Sequence, residues 1–371
     1  MTLEEEIEKR KREIHTDAYS MSIGEIASLY RDREIDIHPE FQRVYRWENS
    51  QKTKLIESIL LGIPLPSIFV SQREDGKWDV IDGVQRLSTI FQFMGIFRDD
   101  SGKNVDALVL RGTEYLPSFE GARWNDPSGS QFTTNLQLRF KREKLDLKII
   151  KSESDPNAKY DLFERLNSLG TNLSDQELRN NLLIMVNRDF YEWLRKMSED
   201  SNFREAISIS ENDEKQQFDM ELVLRFFVYK NSPVEELKKL SEIGIFLRKK
   251  MLEYAQGSGF NLKSESEAFR ETFKLIYHSL GEDAFKKYYP QEKKFKQKFL
   301  VSVYEVVAVG LGYNILQWQQ ISGYEAIQKI RQIVTELWQN TEFVNNMGAG
   351  TNLARRVSKL VTLGKELFRI K

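Results

Sequence analysis

Seven consecutive residues, Val80-Ile81-Asp82-Gly83-Val84-Gln85-Arg86, bring an acid, a glycine, an amide and a guanidinium together where a strand should end and a helix begin. The first turn of a helix presents backbone N–H groups with no intrahelical partner and a partial positive charge. That makes it a ready anion site. Gly83 lets the backbone approach a ligand closely. Arg86 offers a planar fork for phosphate. Asp82 could cap the helix, hold a magnesium ion or orient a water. An ordinary capped junction has the same pattern, so this segment alone leaves both readings open.

A second polar group lies upstream, in Phe41-Gln42-Arg43-Val44-Tyr45-Arg46-Trp47. Half-buried arginine and glutamine side chains cost solvation unless they meet an anion or a carboxylate. Glu40, Glu48 and Glu57 could supply that carboxylate, and Tyr45 or Trp47 could stack on a base. A third group is Arg165 with Asn167, placed together at a helix end. Gly170 gives that helix its stop, and Ser174 with Glu177 makes a capping box for the next one. The stretch from about 38 to 92 therefore reads as one polar site suited to a nucleotide or phosphate.

Several elements must position these residues. A charged helix is expected over Leu3–Glu13, and a second from Ser22, whose capping-box partner is Glu25. Ile35 and Ile37 flank Asp36 in a short strand. Asn49 or Ser50 should cap a helix carrying Leu55, Ile56, Ile59 and Leu60, stopped by Gly62. Ser67–Ser71 and Trp78–Ile81 read as a hairpin around Glu74-Asp75-Gly76. The helix after Gly83 shows Leu87, Ile90, Phe91 and Met94 at helical spacing. Residues 98–130 read as an insertion with a strand near Ala107–Leu110. A helix near Phe132–Lys141 and a strand at Leu145–Ile150 complete a first domain over residues 1–155.

Residues 156–371 read as a helical domain. Helices are expected at 157–167, 174–187, 188–199, 219–230, 234–255, 265–279, 293–312, 321–339 and 351–369. An α+β domain followed by a mainly α-helical one is the expected fold class.

Composition sets bounds on this reading. The 371 residues suit two domains, and 40% hydrophobic content can bury a sizeable core. No run of about 18 apolar residues implies a membrane span. The charged N-terminus lacks the apolar stretch of a secretory signal. The chain has no cysteine, so disulfides, thiolate catalysis and cysteine-ligated zinc are excluded and a cytoplasmic location is expected. The net charge is −1, yet residues 286–298 hold six lysines against Glu292 alone. Residues 351–371 hold six basic residues against Glu366. A solvated helix face explains such runs. The sharper reading is that Lys293, Lys294, Lys296, Arg355 and Arg356 meet DNA phosphates.

Four blocks, FQRVYRW, SILLGIPLPSIFV, DGVQRLSTI and FERLNSLGTNLSDQELRN, closely resemble the N-terminal domain family of GmrSD restriction endonucleases, in the same order over about residues 20–185. The resemblance implies a small core similar to the ParB and sulfiredoxin fold. It implies binding, and often hydrolysis, of a nucleoside triphosphate in bacterial defence against foreign or modified DNA. It places the site at Gln42, Arg43, Asp82, Gly83, Gln85 and Arg86, supported by Arg165 and Asn167. Val84 departs from the pattern, because many members carry a second glutamine there. Members that cut DNA usually carry a His-Asn-His nuclease domain as well. This chain has three histidines, His15, His38 and His278, so no nuclease site of that type is expected in it.

Two functions follow. In the first, the chain hydrolyses a nucleoside triphosphate with magnesium held by Asp82. Arg43 and Arg86 then neutralise phosphate charge, and Gln42 or Gln85 positions the water. A separately encoded nuclease or defence protein would be the partner, and self-association is left open. In the second, the chain senses a nucleotide and binds DNA or a partner without turnover. A third reading, a toxin, antitoxin or scaffold with a degenerate site, sits poorly with the intact Gln-Arg pairs.

Overall fold

The computed structural model describes residues 2–11, 15–37, 47–99, 102–125, 132–154, 174–240, 242–257, 259–348 and 353–370. Contacts divide the chain into two compact units, Met1–Thr171 and Asn172–Lys371.

The first unit is α+β. After α1 (Leu3–Lys11) come β1 (Thr16–Ser22), α2 (Ile23–Arg31), β2 (Ile35–Asp36), α3 (Asn49–Leu61), β3 (Ile68–Gln72), β4 (Trp78–Asp82), α4 (Val84–Phe93), α5 (Thr134–Arg142) and β5 (Lys144–Ile150). The sheet order is β1-β5-β3-β4-β2. It is mixed: β1 and β5 run antiparallel, as do β3 and β4, whereas β5 with β3 and β2 with β4 are parallel. The expected caps form at two helices. Ser22 Oγ accepts from Glu25 N at 3.2 Å, and Gly62 takes the left-handed conformation that ends α3. The N-cap of α3 is Glu48, one residue before the expected Asn49.

β1 is an element the sequence conceals. Its seven residues pair with β5 along their whole length at the sheet edge, and most of its side chains are exposed. A strand that buries little on either face carries no period-two apolar signal. The expected strand at Ala107–Leu110 does not form, because no neighbouring strand pairs with it. Leu108 and Leu110 are buried on extended chain tied by Leu108 N to Gln92 O at 3.3 Å and Leu110 N to Ala122 O at 2.9 Å. Phe93, Trp124, Phe132 and Phe140 close this region, with ring centroids 5.1–5.7 Å apart. Aromatic burial thus fixes the insertion on α4 and α5 without a ladder.

The second unit is mainly helical. Its elements are α6 (Asp175–Val186), α7 (Arg188–Ser198), α8 (Ser201–Ile207), α9 (Glu211–Lys215), α10 (Phe218–Asn231), α11 (Val234–Lys238), α12 (Ile243–Ala255), α13 (Leu262–Leu280), β6 (Lys287–Tyr289), β7 (Lys294–Lys296), α14 (Val301–Tyr313), α15 (Ile315–Trp318), α16 (Gly323–Glu336), α17 (Thr341–Asn346) and α18 (Leu353–Leu367). Helix α14 is buried on nearly every side from Ser302 to Gly312. It meets α18 at backbone distance: a Cβ on Gly310 would overlap the backbone of Gly364, and one on Gly364 would overlap Val306 O. Only glycine permits that approach.

Two expected helices are corrected. The 234–255 helix is divided, since the chain turns at Lys239, whose N–H bonds Glu236 O at 3.1 Å. The 293–312 helix starts only at Val301, and before it stands the β6–β7 hairpin. Pro290 lies at the turn, Lys293 has φ +51°, and Lys294-Phe295-Lys296 alternates about a single apolar residue. Those features suit a ribbon and break a helix.

Candidate anion site at the end of strand β4

Strand β4 reaches the site through an irregularity. Phe69 of β3 lies opposite Asp82, and Val70 lies opposite Val80, so Ile81 is an extra residue on β4. Such a bulge bends its strand and re-aims the side chains beside it. Gly83 follows at φ +99°, a conformation that β-carbons disfavour. A Cβ there would also overlap Ile68 Cδ1 and stand 3.3 Å from Arg86 Nη2. Packing against β3 thus requires a glycine at this position, independently of any ligand. Helix α4 starts at once, and Leu87 N bonds Gly83 O at 2.9 Å. The amides of Val84, Gln85 and Arg86 precede that first helical bond, the kind of turn that can receive an anion.

Arg86 is largely enclosed and its fork is engaged. Nη1 donates to Pro66 O, and Nη2 donates to Ser67 O at 3.2 Å and Asp82 Oδ2 at 2.9 Å. Its side chain is 12% exposed, while that of Asp82 is 50% exposed. Burial holds the guanidinium below its usual range, against the pull of Asp82. Arg86 thus clamps the Pro66-Ser67 chain to the start of α4.

Gln85 is the unexplained group. Its side-chain Nε2 and Oε1 are both buried, and neither has a hydrogen-bond partner among the described residues. Leaving a buried polar group unsatisfied costs about 1–3 kcal/mol. The sequence pattern puts Gln85 off the apolar face and at the mouth of the site. In the structure its amide is covered, one residue from Arg86 and in the first turn of α4.

Asp82 Oδ2 accepts from Arg86, and half of the Asp82 side chain remains exposed. Among the described residues no group of three or more His, Asp or Glu side chains could hold a metal ion. Among the described residues Asp82 would be the carboxylate offered to a magnesium ion here, a ligand that suits magnesium bound together with phosphate oxygens.

At the far end of β4 a different Arg–Asp pair forms. Arg73 Nε donates to Asp79 Oδ1 and Oδ2 at 2.9 and 2.8 Å, and its Nη2 donates to Asp36 Oδ2 at 2.9 Å. Hydrogen bonding to Asp79 pushes the Arg73 pKa up, further above its already high value. The pair joins β2, β4 and the hairpin turn.

Four site expectations, Gln42, Arg43, Arg165 and Asn167, lie outside the described residues, as does the side chain of Arg355. Arg356 faces inward. Its Nη2 stands 3.5 Å from the fully buried Glu305 Oε1, which Arg225 Nη1 also approaches at 3.4 Å. Burial raises the Glu305 pKa against both arginines. That chain continues through Glu221 to Arg179, which is buried in α6. The sequence reading sees only the capping box at Ser174 and Glu177, which does form. It does not single out Arg179. The available signal was the polar run Gln176-Glu177-Leu178-Arg179-Asn180-Asn181 inside a helix, too dense for one solvated face.

The first unit is an α+β domain whose strand β4 passes through the Asp82-Gly83 turn directly into helix α4. Residues 26–184, less than half of the chain, match the family model of the GmrSD restriction endonuclease, N-terminal domain. The match takes in β2 to β5, the Asp82–Arg86 turn and most of α6. No curated protein and no solved structure matches the chain.

Proposed function

We propose that the chain binds a nucleoside triphosphate at the Asp82–Arg86 turn and hydrolyses it as one component of a bacterial DNA restriction or anti-phage defence system. The buried, unpartnered amide of Gln85 carries the reading. At the first turn of a helix it can both donate to a phosphate oxygen and accept from a water or sugar hydroxyl. The GmrSD match supports the process, and the printed family name joins it to restriction endonucleases.

The described residues divide the work. The α4 amides and Gln85 bind phosphate. Arg86 supplies positive charge from a fixed place and holds the turn in shape. Asp82 Oδ1 would hold magnesium, which neutralises phosphate charge when bound. Gln42 and Arg43 are assigned to water positioning and phosphate contact, with Arg165 and Asn167 in support.

One observation favours a second reading. The Arg86 fork is already bonded to Pro66, Ser67 and Asp82, so its freedom to follow charge developing in a transition state is small. A site of that kind senses a nucleotide without turning it over. Titration with ATP, GTP, CTP and UTP, with and without DNA, reading binding and phosphate release, separates the two. Binding with release supports hydrolysis, and binding without release supports sensing. Failure of all four to bind at millimolar concentration, or wild-type binding by Arg86→Ala, overturns the site.

A further inference from the structure

The lysine-rich stretch before α14 is a hairpin with two unlike faces. Lys287 stands opposite Lys296, Tyr288 opposite Phe295, and Tyr289 opposite Lys294. Opposed residues on a ladder point to the same face, and alternate residues to opposite faces. Lys287, Lys294, Lys296 and Tyr289 therefore share one face, and Tyr288 and Phe295 form the other. Side-chain contacts agree. The Tyr288 and Phe295 rings pack with centroids 4.9 Å apart. Lys287 Nζ lies 5.0 Å and Lys296 Nζ 5.7 Å from the Tyr289 ring centroid. Phe295 is half-buried between exposed Lys294 and Lys296, and Lys287 and Tyr289 are half-buried, so the lysine face is most open along β7.

The charge on that face is poorly compensated. Glu292 pairs with Lys296, and Lys286 reaches Asp283 at 3.0 Å. Lys287, Lys293, Lys294 and Lys298 have no carboxylate partner among the described residues. Like charges directly opposite on a ladder are destabilising, and this ribbon sets Lys287 against Lys296. A polyanion laid on the face offsets that cost.

We infer that this face of the β6–β7 ribbon docks on the phosphate backbone of duplex DNA without reading its sequence. A two-stranded ribbon fits the major groove of a duplex. Lysines two residues apart, such as Lys294 and Lys296, are about 6.8 Å apart along the strand and can engage separate phosphates. The face has no stacking platform for a single strand. Its one ring, Tyr289, carries two ammonium groups, and its hydroxyl accepts from Gln297 Nε2 at 2.6 Å. The inference names where the DNA of the proposed function is held, and rests on that reading only for the choice of DNA among polyanions.

Anisotropy of the full chain against a mixed-sequence duplex, over a salt series and without nucleotide, tests it. The triple variant Lys287→Gln, Lys294→Gln, Lys296→Gln should bind at least about tenfold more weakly and flatten the salt slope by roughly 2 to 3. The arginine triple at the same positions should keep both. A control triple on exposed lysines of the same unit, Lys238→Gln, Lys249→Gln and Lys274→Gln, should behave as wild type. The inference is overturned if wild type fails to bind at low salt, if the two glutamine triples behave alike, or if a single strand or anionic lipid vesicles bind more tightly. A nucleotide titration of the ribbon variant reads the Asp82–Arg86 site separately, so failure of one assignment is not mistaken for failure of the other.

Discussion

Strand β4 carries an Arg–Asp pair at each end, and the two are built in opposite senses. At one end the carboxylate is buried and the arginine is partly open: Asp79 is 2% exposed and Arg73 28%. At the other end the arginine is enclosed and the carboxylate is open, with Asp82 at 50% and Arg86 at 12%. Arg73 gains from its partners, which raise its pKa, whereas burial lowers that of Arg86. The first pair is a lock that joins strands. The second leaves a half-exposed carboxylate beside the Gln85 amide, whose two polar atoms have no partner among the described residues. Equal residue types thus form a closed lock at one end of a strand and, under the proposed function, a ligand site at the other, and the hydrogen-bond accounting separates them.

The comparison can be broken from the structural end first. Asp79→Ala should cost about 3–5 kcal/mol of unfolding free energy, because it strands the fork of Arg73 beside a buried cavity. Denaturant titration reads it, and a cost below about 1 kcal/mol would mean that the lock is decorative. Arg86→Ala should cost roughly 2–3 kcal/mol through its lost charged hydrogen bonds to Pro66, Ser67 and Asp82, and should weaken nucleotide binding as well. Asp82→Asn should change stability by under about 1 kcal/mol, since its carboxylate is half in water. Its effect belongs to function: magnesium-dependent phosphate release should fall while nucleotide binding persists. Equal release by Asp82→Asn and wild type would remove Asp82 from the metal assignment.

Much of this end of β4 was legible in the chain. Asp82-Gly83 between an apolar strand and an amphipathic helix predicts the junction, and Gly62 and Ser22 predict their caps, because all of these depend on neighbours in sequence. The partners of Arg86 were not legible. Pro66 and Ser67 lie about 20 residues away, and only the β3–β4 register brings their carbonyls to the guanidinium. Gly83 was readable as a glycine the backbone needs, but the reason, Ile68 of the adjacent strand, was not. The β6–β7 ribbon was hidden for a different cause. The long apolar run of α14 invites extension toward its N-terminus, and only three residues on each strand carry the alternation.

Gln85→Leu tests the central claim most directly, because it keeps volume and removes only the buried amide. With unfolding free energy and nucleotide affinity measured on the same preparation, the account predicts a protein more stable than wild type by about 1 kcal/mol that has lost most of its nucleotide affinity. A variant that is less stable, or that binds nucleotide as wild type does, would show that the Gln85 amide has its partners within the protein and that the Asp82–Arg86 turn is an ordinary capped junction.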